Sequence, residues 1–224
     1  MSRPRILDLC CGVGGSAWGY HLAGFDVLGV DVEKQKRYPF EFVHMDAFEF
    51  MDKVFDPSEF AAIHASPPCQ AYADEAHRYR TSHPDLIAPM REVLSQTDLP
   101  WVIENVDTAP LRNPMMLCGT MFPGVRVIRH RMFESSFYME GPPHPRGPHP
   151  PVFSYDKRRD RSHLNEWDDY VTVTGGGNCG IDAARDAMGI RWATVRELNQ
   201  AIPPAYTEYV GKLLLAVVNS RAAA

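Results

Sequence analysis

Five short apolar runs in the first half of the chain each end in a polar residue or a tight turn, and this repeated pattern most constrains the fold. The runs span 5–9, 26–30, 40–44, 60–65 and 101–103, and helix-like stretches occupy 16–22 and 86–94. Strands that alternate with helices predict an α/β fold, a doubly wound and mostly parallel sheet with helices on both faces.

Residues capable of chemistry follow these runs. Gly12, Asp31, Asp46, Cys69 and Glu104 all come at or just after the carboxyl end of a predicted strand. Ligands of open α/β sheets bind beyond the carboxyl ends of the strands. We therefore expect these five residues to share one edge of the sheet.

Composition limits the class of protein. The 224 residues carry a net charge of −5, so bulk charge does not drive binding to nucleic acid, although a local basic strip remains compatible with it. The five cysteines, an odd number, form no C-x-x-C pair, which fits neither a disulfide framework nor a zinc knuckle. With no signal-peptide pattern and no apolar run of spanning length, we expect a soluble cytoplasmic protein.

The glycine-rich turn Gly12-Val13-Gly14-Gly15 lies between the first strand and a predicted helix. Such glycines let backbone N–H groups approach a ligand at a helix N-terminus. Asp31, 19 residues after Gly12, could accept both ribose hydroxyls of an adenosine, and Asp46 favours an adenosine whose base lies in the same trough. A dinucleotide site and a purely structural turn remain alternatives.

The sharpest motif is Ser66-Pro67-Pro68-Cys69-Gln70. Two prolines stiffen the chain after a buried strand and present Cys69 from a loop, as a nucleophilic thiol requires. A buried structural cysteine is the alternative, and it is the interpretation preferred for Cys10, Cys11, Cys118 and Cys179.

Two further groups could assist a thiol nucleophile. Glu104 suggests an acid that protonates the substrate, and Arg129 and Arg131 suit a phosphate or a base carbonyl. An ion-paired glutamate and a solvated edge strand are the structural alternatives.

Together these residues resemble the C5-cytosine DNA methyltransferases, over about 5–134 and 192–218, and in particular small phage and prophage members. Residues 8–15 resemble the family's cofactor loop, 67–70 its nucleophile motif, 104–106 its acid motif, 129–131 its arginine motif and 201–204 its C-terminal motif. The resemblance implies a Rossmann-like methyltransferase fold that uses S-adenosylmethionine and releases S-adenosylhomocysteine.

The resemblance also implies roles for individual residues. Cys69 attacks C6 of a cytosine flipped out of the duplex, Glu104 protonates N3, Arg131 holds the base carbonyl, and Arg129 supports the loop or a phosphate. The residues expected at the cofactor are Cys10, Cys11, Gly12, Val13, Gly14, Gly15, Asp31, Val32, Asp46, Ala47, Pro68, Ala201 and Ile202. The residues expected at nucleic acid are Gln70, Lys157, Arg158, Arg159 and Arg161.

The predicted organisation has a catalytic part at 1–134, a proline-rich and basic recognition insert at 135–170, and a C-terminal part at 171–224 that returns to the catalytic part. A merely solvated surface is the alternative for the basic cluster. Because the insert is short, we expect short or relaxed sequence specificity, or help from a partner or a second copy. No metal is expected, and His144 and His149 are predicted to be solvated.

DNA in a bacterial or phage-infected cell, as in restriction–modification, is the expected substrate. RNA cytosine and a free pyrimidine nucleotide remain alternatives, as does a catalytically weak protein that binds nucleic acid or cofactor. A dinucleotide oxidoreductase is disfavoured because it explains neither the Pro67-Pro68-Cys69-Gln70 turn nor Glu104.

Overall fold

The computed structural model describes residues 3–72, 84–155, 163–173 and 179–223. Its main sheet has seven strands in the order β3-β2-β1-β4-β5-β7-β6, where β1 to β5 are parallel and β7 is antiparallel to both neighbours. The strands are β1 (Arg5–Leu9), β2 (Asp26–Asp31), β3 (Glu41–His44), β4 (Ala62–Ala65), β5 (Trp101–Asn105), β6 (Met115–Leu117) and β7 (Arg131–Ser135). The predicted doubly wound, mostly parallel sheet is confirmed.

Helices cover both faces of this sheet. They are α1 (Gly15–Ala23), α2 (Ala47–Lys53), α3 (Ile87–Ser95), α4 (Ile181–Met188), α5 (Val195–Gln200) and α6 (Pro204–Ala222), with short 3-10 turns at Pro57–Glu59 and Gly119–Met121. Helix α6 begins at a proline, where the missing N–H costs no intrahelical hydrogen bond. No helix in the described part of the chain is long and apolar enough to cross a membrane.

Alternate side chains of the strands pack into two separate hydrophobic cores. Leu7 and Leu9 of β1 point toward the core shared with α2 and α3, whereas Ile6 faces the core that contains α1 and α6. Helices α1 and α6 approach very closely, because a Cβ on Gly19 would lie 2.1 Å from the hydroxyl oxygen of Thr207. This contact fixes the C-terminal helix against the helix that follows the glycine-rich turn.

A second, two-stranded parallel sheet pairs β8 (Val152–Phe153) with β9 (Tyr170–Val171). Residues 171–174 of the sequence predict a strand, the structure has β9 at Tyr170–Val171, and Thr174 lies outside the described residues. A single bridge between Val127 and Val171 connects this small sheet to the segment before β7. The basic residues Lys157, Arg158, Arg159 and Arg161 also lie outside the described residues.

The strand order reverses between β1 and β4, where consecutive crossovers leave the sheet in opposite directions. In open α/β sheets, ligands bind at such a switch point, outside the carboxyl ends of the strands. The turn after β1, Asp31 at the end of β2 and Glu104 in β5 all lie along this edge. The fold thus brings the predicted cofactor and catalytic motifs to one side of the sheet.

Candidate active site

The glycine-rich turn after β1 has an unusual backbone. Cys10, Gly12 and Gly14 all have positive φ angles, of 57°, 50° and 86°. A left-handed conformation is uncommon at a non-glycine residue such as Cys10, and such conformations cluster at binding sites. The turn is held by Asp31, whose Oδ2 accepts from the Gly12 N–H at 2.8 Å, and by the Trp192 indole, which donates to the Val13 carbonyl.

The glycines of the turn serve two different purposes. A Cβ on Gly15 would lie 2.4 Å from the carbonyl oxygen of Ile202, and one on Gly14 would lie 2.8 Å from the Pro39 ring. Packing therefore requires glycine at these two positions, and no ligand contact is needed to explain them. A Cβ on Gly12 would meet nothing within 4 Å, so Gly12 is the position where a ligand could approach the backbone.

Asp31, Val32 and Asp46 line the next part of the edge. The second oxygen of Asp31 accepts from the Glu33 N–H at 2.8 Å, which orients the carboxylate, while Val32 is 65% exposed and offers an apolar surface beside it. Asp46 caps α2 through hydrogen bonds from Phe48 and Glu49 to its Oδ1. Both carboxylates are thus held in place by backbone amides.

Asp8, at the centre of β1, is a buried carboxyl group directly beneath the turn. Its Oδ2 accepts a hydrogen bond from Ser16 at 2.9 Å, and the buried hydroxyl of Tyr38 is a second polar neighbour that lowers the pKa of Asp8. Burial raises the pKa of Asp8 from 3.8 to about 8, and Asp31 and Glu104 add to this rise. Asp8 is therefore mainly protonated at neutral pH.

This buried carboxyl group predicts a pH dependence of stability. Because its pKa is raised on folding, Asp8 favours the folded state at low pH, and this contribution is lost as the pH rises from 3.8 to about 8. We expect Asp8→Asn to remove a slope of up to about 1.4 kcal/mol per pH unit from the free energy of unfolding. Urea unfolding at several pH values would measure it.

Asp52→Asn, on the exposed side of α2, is the matched control and is expected to keep the wild-type slope. An unchanged slope in Asp8→Asn would show that Asp8 ionises at its ordinary pKa in the folded protein.

The edge around the turn has features that fit S-adenosylmethionine. No side chain caps the N-terminus of α1, whose positive dipole end faces the turn and suits a carboxylate. A Cβ on Gly12 would meet nothing within 4 Å, so the space above this residue is open. The side chains of the predicted cofactor residues Cys11, Val13, Ala47, Ala201 and Ile202 are buried.

Cys69 lies on the turn that follows β4. Asn105 fixes this turn, because its side-chain amide donates to the carbonyl of Pro67 at 2.8 Å, and the Tyr72 N–H donates to the carbonyl of Cys69. Pro68 and Gln70 are exposed, and Cys69 between them is half-buried and free. The thiol is therefore accessible on a rigid turn, whereas Cys11 and Cys118 are buried.

The electrostatics at Cys69 act in opposite directions. Burial raises the pKa of the Cys69 thiol and Glu104 raises it further, while the guanidinium groups of Arg131 and Arg129 lower it. The net direction is upward, so the resting side chain is a thiol. The arginines provide the positive field that a thiolate would need.

Glu104 is a buried carboxyl group next to Arg131, whose Nε lies 3.0 Å from its Oε1. Burial raises the pKa of Glu104, although Arg131 and a hydrogen bond from Ser66 lower it. Ser66 in turn shares a hydrogen bond with His64, whose pKa burial lowers to about 3, and His64 shares one with Tyr20. A neutral hydrogen-bonded chain, formed by the partly buried Ser66 and the fully buried His64 and Tyr20, thus supports Glu104.

Arg129 has a different environment from Arg131. It is only 8% exposed and donates to the backbone carbonyls of Ala201 at 2.7 Å and Asn199 at 3.1 Å. The Tyr206 hydroxyl donates to the backbone carbonyl of Arg129 at 2.7 Å. Arg129 therefore holds the segment before α6, which agrees with the first of its two expected roles, support of the loop or contact with a phosphate.

Three residues at this edge were not predicted from sequence as functional. Asn105 follows Glu104 directly and holds the Cys69 turn, and Ser66 precedes the two prolines and contacts Glu104. Their adjacency to the two motifs is the signal that could have identified them. His64 carries no such signal, because only its complete burial in β4 gives it a role.

Comparisons with known proteins agree with this architecture. No family model and no curated protein matches the chain. Among solved structures, a protein of an E. coli prophage named as a DNA modification methyltransferase superposes with a TM-score of 0.60 at 14% identity, covering 96% of this chain and 99% of that one. The Dnmt2 methyltransferase of S. pombe has a TM-score of 0.60 at 16% identity, covering 97% and 99%.

A third match, the methyltransferase EhMeth of Entamoeba histolytica, has a TM-score of 0.58 at 11% identity, covering 97% of this chain and 99% of that one. At these identities the likeness concerns the fold. The chain shares the Rossmann-like α/β fold of these methyltransferases over nearly its whole length.

Proposed function

We propose that this chain transfers a methyl group from S-adenosylmethionine to C5 of cytosine in DNA, through a transient bond between Cys69 Sγ and C6 of the base. The observation that carries the proposal is that the nucleophile, acid and arginine motifs meet at one edge of the sheet. Cys69 lies on a turn held by Asn105, in the field of the buried pair formed by Glu104 and Arg131. Few other reactions need an accessible thiol beside a protonatable, arginine-paired acid.

The cofactor, when bound, supplies an electrophilic methyl group on a sulfonium. The Asp31 carboxylate, already oriented by two backbone amides, is placed to accept ribose hydroxyls, and exposed Val32 offers a surface for the adenine. The uncapped N-terminus of α1 and the open space at Gly12 suit the carboxylate end. Asp46 would contact the edge of the adenine.

The chemistry at the base is divided among three side chains. The Cys69 thiolate forms a bond to C6, and Glu104 delivers its proton to N3, so negative charge does not build up on the ring. Arg131 holds Glu104 through Nε and has further N–H donors for the base carbonyl. The proton of the Cys69 thiol passes to solvent when the thiolate forms. C5 then takes the methyl group and loses its own proton to solvent, the electrons of the Cys69–C6 bond return to sulfur, and N3 returns its proton to Glu104, which restores the aromatic ring.

The environment of Glu104 suits this role. Burial raises its pKa and so favours the protonated acid, while Arg131 stabilises the carboxylate left after the proton is transferred. Arg129 acts indirectly, because it fixes the backbone at 199–201 that packs against the glycine-rich turn. The nucleophile, the acid and the cofactor turn are thereby held on one rigid frame.

Nucleic-acid binding is assigned in this proposal to Gln70 and to the segment 135–170. Gln70 is exposed beside the nucleophile, and the described part of 135–170 forms β8 and the start of β9 outside the main sheet. Residues 1–134 and 171–224 then form the catalytic part. An insert this short would recognise a short DNA site, alone or with a partner or second copy. The protein would act in the cytoplasm.

Parallel assays of tritium transfer from labelled S-adenosylmethionine to duplex DNA, RNA and dCMP would test the substrate. We expect label in duplex DNA, retained at cytosine after digestion to nucleosides. Incorporation confined to RNA or dCMP would reject DNA as the substrate, and no incorporation into any of the three would reject the proposed activity.

A further inference from the structure

Four potential metal ligands converge at a place that the proposed reaction does not use. They are Cys118, in the loop after β6, His130, between the two arginines of the arginine motif, and His144 and His149 of the proline-rich loop. One ligand atom from each lies within 4.8 Å of the other three. The cluster thus joins three separate segments of the chain.

The three distances from His149 to the other ligand atoms match those of a tetrahedral site. His149 Nε2 lies 3.2 Å from His144 Nε2, 3.4 Å from His130 Nε2 and 3.6 Å from Cys118 Sγ. Zn²⁺ binds imidazole nitrogen at about 2.0–2.1 Å and thiolate sulfur at about 2.3 Å. Tetrahedral angles then require about 3.4 Å between two nitrogens and about 3.6 Å between nitrogen and sulfur.

Hydrogen bonds alone do not account for this arrangement. A neutral imidazole nitrogen has either one proton or one lone pair, yet His149 Nε2 faces three partner atoms at close range. A single cation at the centre would bind all four groups at once. This is the physical reason to interpret the cluster as a binding site.

Polar groups outside the cluster orient two of the ligands. His144 Nδ1 lies 2.8 Å from the carbonyl oxygen of Pro145, which fixes the proton on Nδ1 and leaves the Nε2 lone pair facing the cluster. The Thr120 hydroxyl donates to Cys118 Sγ at 3.2 Å, a contact that stabilises a thiolate. Metal-binding histidines and cysteines commonly have such second contacts.

We propose that Cys118, His130, His144 and His149 bind one Zn²⁺ ion. Cys118 binds as the thiolate, and its proton passes to solvent. With four protein ligands and no open position, the site is structural. It attaches the proline-rich loop to the segment that positions Arg129 and Arg131, so the metal would couple the recognition insert to the active-site frame.

This proposal differs from the sequence-based expectation of no metal, and it gives the half-buried His144 and the exposed His149 a role as ligands. The two histidines are separated by four residues, which is within the spacing of paired zinc ligands. That spacing is a sequence signal for the site. Cys118 and His130 could not be added from sequence, since only the fold brings them to the loop.

Metal analysis of the purified chain is the direct test. We expect elemental mass spectrometry to find one zinc per chain. After exchange of the zinc for Co²⁺, we expect the visible absorption spectrum of a tetrahedral site with a thiolate ligand. Cys118→Ser and His149→Asn should each lower the zinc content at least about fivefold. His163→Asn, which changes an exposed histidine of the same insert, should retain one zinc.

Limited proteolysis distinguishes loss of metal from loss of folding. Arg146 is exposed between the two loop histidines. Trypsin should therefore cut after it much faster when chelator has removed the metal, and added Zn²⁺ should restore protection. Zinc below one-tenth per chain after reconstitution, full zinc retention in both variants, or another metal at one per chain would overturn the proposal.

Discussion

Replacing Cys69 with serine is expected to lower the rate of methyl transfer by at least about 10⁴-fold, since loss of a covalent nucleophile can cost about 10⁶-fold. A serine hydroxyl occupies nearly the same volume but is almost never ionised at neutral pH, so it cannot form the bond to C6. The side chain is half-buried on a turn held by Asn105, and the fold should be retained. Single-turnover assays with labelled cofactor would measure the loss.

Cys179→Ser is the matched control for this experiment. Cys179 is also a free, half-buried thiol, but it donates to the carbonyl of Thr172, outside the proposed machinery. We expect its transfer rate to equal that of the wild type within about twofold. A Cys69→Ser rate within tenfold of the wild type would remove Cys69 as the nucleophile.

Glu104→Gln is expected to slow the chemical step by about 10²–10⁴-fold, the range that general acid catalysis contributes. Glutamine keeps the shape of the side chain but cannot deliver a proton to N3. It also leaves the guanidinium of Arg131 without its buried partner, so thermal unfolding must be measured alongside the rate. Glu104→Asp, which retains an acid and a charge, should keep more activity than Glu104→Gln.

The pH profile separates the acid role from a merely structural one. Because burial raises the pKa of Glu104, the wild-type kcat should fall as the pH rises through that raised pKa, when the proton is lost. The glutamine variant should lack this falling limb. Glu92→Gln, at an exposed position on α3, should leave both the rate and the profile unchanged. A falling limb that persists in Glu104→Gln would assign the proton to another group.

Most of the catalytic part of the fold could be predicted from the sequence. The five parallel strands could be predicted because each is a short apolar run that ends at a turn. The fold places those turns on one edge of the sheet. Strand β6 has only three residues, Met115–Leu117, and β8 and β9 have two each. Strands β6 and β8 form by pairing with their neighbours and have no sequence pattern of their own, whereas residues 171–174 predict a strand at β9.

Several side-chain roles in the site depend on distant parts of the chain and could not be predicted. Arg129 donates to the backbone carbonyl of Ala201, 72 residues away. The arginine motif alone suggested a ligand contact or support of a loop, and it could not show which carbonyl Arg129 contacts. The raised pKa of Asp8 depends on complete burial beneath the turn, which the motif alone does not reveal. The cluster around His149 likewise requires three loops to meet.

The central claim is the transient bond between Cys69 and cytosine, and trapping tests it most directly. In duplex DNA that contains 5-fluorocytosine, fluorine at C5 replaces the proton whose loss would break the Cys69–C6 bond, so the bond should persist. Incubation with S-adenosylmethionine, digestion and peptide mass mapping should find the modified base on Cys69, and Cys69→Ser should give no adduct. An adduct mapped to another residue, or active methyl transfer to cytosine without any adduct, would contradict the mechanism.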